Sequence, residues 1–123
     1  MDADDLLRWL ADGPVITDGG MGTALVAAGA PIGSCLEALN VDEPDRVAAV
    51  HRSFLDAGAT LVLTNTFGAN RPRLGEHDAA ERVEEINAAG VRVARDAGAS
   101  VVAGSLGPLG IRLTPYGRVR GEE

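Results

Sequence analysis

The sequence predicts an α/β fold built on parallel strands. Three observations carry that expectation. The stretch DAGATLVLTN, Asp56 to Asn65, recurs forty positions later as DAGASVVAGS, Asp96 to Ser105. Each copy reads as a helix end, a glycine stop, a short apolar strand and a polar tip, and a repeat of helix then strand builds a parallel sheet. The apolar runs do not alternate with polar residues, as expected where both faces of a parallel sheet are covered. Polar residues collect at the carboxyl ends of the strands, where such sheets keep their chemistry.

The elements follow in order. Asp2 to Leu10 reads as a short amphipathic helix with Leu6, Leu7 and Leu10 on one face and acidic residues in its first turn, where the helix dipole favours them. Trp9 is expected to cover one end of the core. Gly13-Pro14 ends this helix, and Val15 to Thr17 is a short strand. Thr23 to Ala28 can form a helical turn or two, and Ala30 to Asn40 reads as loop. A helix starts at Asp42-Glu43-Pro44, with Asp42 as its cap, and runs to about Ala57. Val47, Val50, Phe54 and Leu55 share its apolar face, and Gly58 stops it. Thr60 to Leu63 is the second strand, and Thr64 to Gly75 reads as loop. The longest helix is expected over Asp78 to Ala97, with Gly90 inside it allowing a close approach at a cost of about 1 kcal/mol relative to Ala. Ser100 to Ala103 is the third strand. Leu113 to Glu123 reads as loop, with Glu122 and Glu123 as solvated tail.

Composition narrows the class. The chain has 123 residues, 46% of them hydrophobic and 3% aromatic, so Val, Leu, Ile and Ala must build the core. Asp and Glu number 18 against 11 Lys and Arg, a formal net charge of -7. That balance argues against nucleic acid, because phosphate binding needs clustered cations and the arginines from Arg92 to Arg120 are dispersed. No run approaches the ~20 apolar residues of a membrane helix. The acidic N-terminus lacks a signal-peptide plan, and a single cysteine, Cys35, rules out an internal disulfide, so a cytoplasmic protein is expected. At a period of about forty residues, eight units would take roughly 300 residues, the size of a (β/α)8 TIM barrel. Three strands cannot close one. The third strand is left as an open edge, expected to attract a second copy or a complementing chain.

Candidate chemistry sits on three tips. Asp18-Gly19-Gly20-Met21-Gly22-Thr23 pairs a carboxylate with glycines. It could hold a substrate ammonium and expose backbone amides, or serve as a tight turn. Its glycines fail the dinucleotide fingerprint, since the last template position is Leu25. Thr64-Asn65-Thr66-Phe67-Gly68-Ala69-Asn70 brings several hydrogen-bonding groups off one buried strand, and a site-facing role is favoured. Gly104-Ser105-Leu106-Gly107-Pro108 offers backbone groups and one hydroxyl, and a rigid turn is the favoured reading of it. Cys35 has no Cys or His partner at zinc spacing and reads as a packed thiol. His51, beside an apolar helix face, reads as packing or capping, and His77 as loop or helix entry.

These motifs together resemble the homocysteine S-methyltransferase family over roughly Val15 to Gly117. The first tip matches its first-strand motif, and Cys35 to Asn40 followed by Pro44 and His51 resembles the segment leading to its next helix. Thr64 to Asn70 matches its second-strand motif, and Gly104 to Gly110 resembles its third. The resemblance implies a (β/α)8 barrel that moves a methyl group from an activated donor to the sulfur of homocysteine, with zinc favouring the thiolate. By position it implies Asp18 on the ammonium, with Gly19 and Thr64 fixing the amino-acid backbone and Asn65 and Phe67 nearby. The family's zinc cysteines lie in an Asn-Cys pair and a Gly-Gly-Cys-Cys-Gly segment on later strands, and neither segment occurs in these 123 residues. The expectation is therefore an incomplete N-terminal part of the barrel over 1–123, holding no metal and inactive alone. The alternative is a noncatalytic binding or interaction module that pairs with a complementing chain.

Overall fold

The structure, a computed structural model, describes residues 1–120, so Glu122 and Glu123 lie outside the described residues. Helix α1 (Ala3–Ala11) opens on a capping box: Asp2 Oδ1 accepts from the Asp5 amide at 2.8 Å, and Asp5 reaches back to the Asp2 amide. Two orphan amides of the first turn are thereby satisfied. Its apolar face is not covered. Leu7 is 63% exposed and Leu10 50%, and no residue of the helix is buried. Trp9 is half-buried beside Gly13, Pro14 and Ile16 and joins neither core, contrary to expectation.

Strands β1 (Leu61–Leu63) and β2 (Val101–Ala103) pair in parallel, Leu61 with Val101 and Leu63 with Ala103. The expected first strand is reduced to a single parallel bridge between Thr17 and Leu61. It does lie against β1: Thr60 donates to Ile16 O at 2.8 Å and Asp18 N to Leu61 O at 3.1 Å. The ladder stops there because the next donor, the Leu63 amide, goes to the side chain of Asp18 (Oδ2, 3.0 Å). A carboxylate has taken the place of a backbone rung.

Helices α2 (Met21–Ala27), α3 (Leu39–Asp42) and α4 (Pro44–Asp56) lie between that segment and β1 in sequence. Helix α3 corrects the loop expected up to Asn40, and it absorbs Asp42. Asp42 therefore does not cap α4, whose N-cap is Glu43 with no side-chain bond. Its carboxylate instead pairs with Arg82 (Oδ1 to Nη2, 2.8 Å). Between the strands run α5 (Arg71–Gly75), unforeseen and capped by Asn70 Oδ1 on the Arg73 amide at 3.1 Å, and α6 (Val83–Asp96). The long helix starts later than its apolar pattern because Asp78 has φ 54° and a 3-10 turn (Ala80–Arg82) intervenes. The two echoed glycines end α4 and α6 at φ +108° and +102°, a conformation that only glycine adopts without strain.

Two apolar clusters hold this arrangement. Leu25, Val47, Val50 and Val93 join α2, α4 and α6, while Leu74, Ile86 and Ala69 join α5 and α6 to the loop after β1. No helix among the described residues is long and apolar enough to cross a membrane. His51 is fully buried on α4, and neither ring nitrogen has a partner among the described residues. Burial pushes its pKa below the usual 6.5, so the fold holds the neutral ring. As pH falls below 6.5 the unfolded chain takes up a proton that the folded chain refuses. Stability is thus fully present at neutral pH and lost on acidification, by up to about 1.4 kcal/mol per pH unit. Urea unfolding of wild type and His51→Leu between about pH 7.5 and pH 5.5 checks this. Wild type should lose stability relative to His51→Leu as the pH falls, and a constant difference would refute the assignment.

Candidate functional site

The tips of the first segment, β1 and β2 surround one cleft of about 300 Å³. Asp18 and Gly19 line it from the first tip, Thr64, Thr66 and Phe67 from the second, and Ser105 from the third. All three residues carried over by resemblance, Asp18, Gly19 and Thr64, therefore border the same space.

Asp18 is half-buried. Oδ2 accepts from Leu63, and Oδ1 is buried without a partner among the described residues. Desolvation raises the pKa of this carboxyl, against the opposing pull of the Leu63 amide. A buried carboxylate oxygen without a partner is one that a cation would stabilise. Gly19 sits tight on α4: a Cβ there would lie 3.1 Å from Phe54 Cε1.

Thr64 is 3% exposed and belongs to a closed circuit. Its Oγ1 accepts from the Ser105 amide at 3.0 Å and lies 2.6 Å from Thr66 Oγ1, which in turn lies 2.8 Å from the Ser105 carbonyl. A carbonyl has no hydrogen to give, so Thr66 donates to it, and Thr64 donates to Thr66. This circuit ties the tips of β1 and β2 together.

Asn65 and Phe67 divide. Asn65 also borders the cleft, but its amide hydrogens are spent on Leu36 O at 2.9 Å and Asn40 Oδ1 at 3.0 Å. Phe67 stays on the rim, 58% exposed. The sequence reading missed two residues. Buried Asn40 donates to Asn65 O at 2.7 Å and Ile86 O at 3.2 Å, locking the second tip to α6. Half-buried Glu37 lines the cleft and accepts from the Gly68 amide at 2.8 Å. Signals existed in the sequence: a polar residue in the run Ala38 to Val41, and an acid among apolar neighbours after Cys35.

Residues 15–122 match the homocysteine S-methyltransferase family. The chain belongs to that family. Two methionine synthases, from Mycobacterium tuberculosis and Mycobacterium leprae, are each 36% identical to it over 127 aligned positions. The alignments cover 92% of this chain and 11% and 10% of theirs, so it spans about a tenth of those relatives. The metallated form of the homocysteine methyltransferase MmuM from Escherichia coli is 29% identical, with a TM-score of 0.69 over 83% of this chain and 41% of that one. The oxidised form gives 0.71 over 85% and 41%. The helices and parallel strands thus match part of the TIM-barrel-like homocysteine methyltransferase fold.

Family membership raises the question of zinc. Cys35 lines a separate depression with His77 and Glu76, beside the Leu74 cluster, and burial raises its thiol pKa away from the thiolate a metal binds. No group of three or more His, Cys, Asp or Glu among the described residues could hold a metal ion. These residues do not fit a zinc centre.

Proposed function

We propose that this chain supplies the amino-acid-binding wall of a homocysteine S-methyltransferase site. In that reaction the homocysteine sulfur forms a bond to the methyl carbon as the bond from methyl to its donor breaks. The share of this stretch is to hold the amino acid. The observation that supports the reading is Asp18 Oδ1, a buried acceptor on the wall of the cleft with no partner among the described residues. A substrate ammonium would satisfy it and offset the desolvation that raises the pKa of this carboxyl. Because the sole thiol, Cys35, lines another depression, the chain by itself is proposed to bind homocysteine without turning it over.

Titration of the isotopically labelled chain with homocysteine tests this. Saturable shifts are expected at Leu63, Thr64 and Ser105. Asp18→Asn keeps an oxygen for the Leu63 amide and removes the charge, so the fold should persist while affinity falls at least tenfold, the effect of about 1.5–3 kcal/mol for a charged hydrogen bond. Equal affinity in the variant, or shifts clustered away from the cleft, would defeat the proposal.

A further inference from the structure

Asp18 stands at the end of a segment that the sheet barely holds. The segment meets β1 through one bridge at Thr17, and the ladder ends at Asp18 itself. The next residue, Gly19, makes no backbone hydrogen bond among the described residues. A side chain of α4 fixes it instead. A Cβ built on Gly19 would lie 3.1 Å from Phe54 Cε1 and 3.5 Å from Phe54 Cζ, and apart from its chain neighbours nothing else comes within 4 Å. The tip of one aromatic ring fills the space beneath this residue.

Glycine is needed here for room, not for rotation. The φ of Gly19 lies outside the left-handed region that Gly29 and Gly33 adopt, so the backbone accepts alanine and only the ring opposes it. The ring is itself anchored. Phe54 is half-buried and packs against the cluster of Leu25, Val47 and Val50. A close-packed interior transmits a displacement instead of absorbing it. The core therefore sets the position of Gly19, and Gly19 sets where the adjoining carboxylate stands. From the β1 side Asp18 is held by two hydrogen bonds, its amide on Leu61 O at 3.1 Å and Oδ2 on the Leu63 amide at 3.0 Å. From the α4 side the restraint is this contact.

We propose that Phe54 is a positioning residue of the cleft: its ring, pressed against Gly19, places the Asp18 carboxylate for the ammonium of the amino acid. The inference rests on the amino-acid reading above and adds to it a residue of the helical layer that does not itself border the cleft.

Two substitutions on the contact test it, with homocysteine titrated into the full chain and thermal unfolding followed beside it. Phe54→Leu keeps an apolar side chain but lacks both Cε1 and Cζ, so the first tip loses its stop. Gly19→Ala overfills the same space, with its methyl aimed at α4 and its amide retained. A full 1 Å misplacement can cost ~10²-fold, so Phe54→Leu should lower affinity about tenfold and Gly19→Ala about fivefold. In the double variant the new methyl takes the room that the ring tip vacates, and affinity should return to within about threefold of wild type. A role confined to core stability would lower the melting temperature of Phe54→Leu and give Gly19→Ala no means of restoring affinity. Unchanged affinity in either single variant, with Asp18→Asn still impaired, overturns the role of Phe54 and leaves the amino-acid reading standing. Losses that add in the double variant also overturn it. If Phe54→Leu unfolds, Gly19→Ala decides alone. A loss of affinity together with a displaced Leu63 amide signal in the unliganded variant upholds the role, and the absence of either overturns it. If wild type binds no homocysteine, the amino-acid reading itself fails and this inference falls with it.

Discussion

Replacing Gly90 by Ala should destabilise the chain by about 2 kcal/mol, although Ala is the better helix former. The two effects have opposite signs, and the structure decides between them. In the middle of α6 the exchange gains about 1 kcal/mol of helix propensity. A Cβ at this position would lie 2.7 Å from Thr66 Cγ2 and 2.9 Å from Asn40 Nδ2. Neither neighbour can yield freely. Thr66 is clamped to Thr64 and to the Ser105 carbonyl, and Asn40 to Asn65 and Ile86. Overpacking costs about 1–3 kcal/mol, and a displaced Asn40 adds a similar amount through buried groups left unpaired. The net should appear in urea unfolding, and as a fall of roughly 10 °C in melting temperature. A variant as stable as wild type would mean that α6 slides away from the second tip at little cost.

Local features of the fold were legible because they obey local rules. Gly58 and Gly98 stop two helices in the same way, so the echoed decapeptide carries its meaning within ten residues. The polar tips follow from strand ends whose position the apolar runs fix. What escaped depends on partners far along the chain. Asn40 reaches Asn65 and Ile86, 25 and 46 residues away, and Glu37 reaches Gly68, 31 away. Periodicity cannot see such pairs. Asp42 looked like a helix cap and became an ion-pair partner of Arg82, 40 residues on, because a short helix not signalled by any apolar pattern took it in. Helix α5 was hidden by Pro72 and Gly75, which read as loop. The exposed leucines of α1 show the converse limit: a face can be apolar in sequence and still find nothing to cover it among the described residues.

Asn40→Ala should cost about 3 kcal/mol, more than most single substitutions. The side chain is 2% exposed, and all of its hydrogens are used. Its loss strands the Asn65 carbonyl in a buried position and leaves one hydrogen of the Asn65 amide without its acceptor. The Ile86 carbonyl suffers less, since it retains its place in α6. The decisive measurement is the double variant with Gly90→Ala. Sites in contact do not add. Once Asn40 is truncated, one of the two atoms that a Cβ at position 90 would strike is gone, so the second substitution should cost less than it does alone. Urea unfolding of wild type, both single variants and the double variant gives the coupling, expected at about 1 kcal/mol. Strict additivity would mean that Thr66 alone sets the close approach of α6. The same variant reports on the cleft, because Asn65 lies between Thr64 and Thr66 in the chain. Freed from Asn40, the second tip should loosen, and homocysteine binding should weaken even though Asn40 itself does not border the cleft.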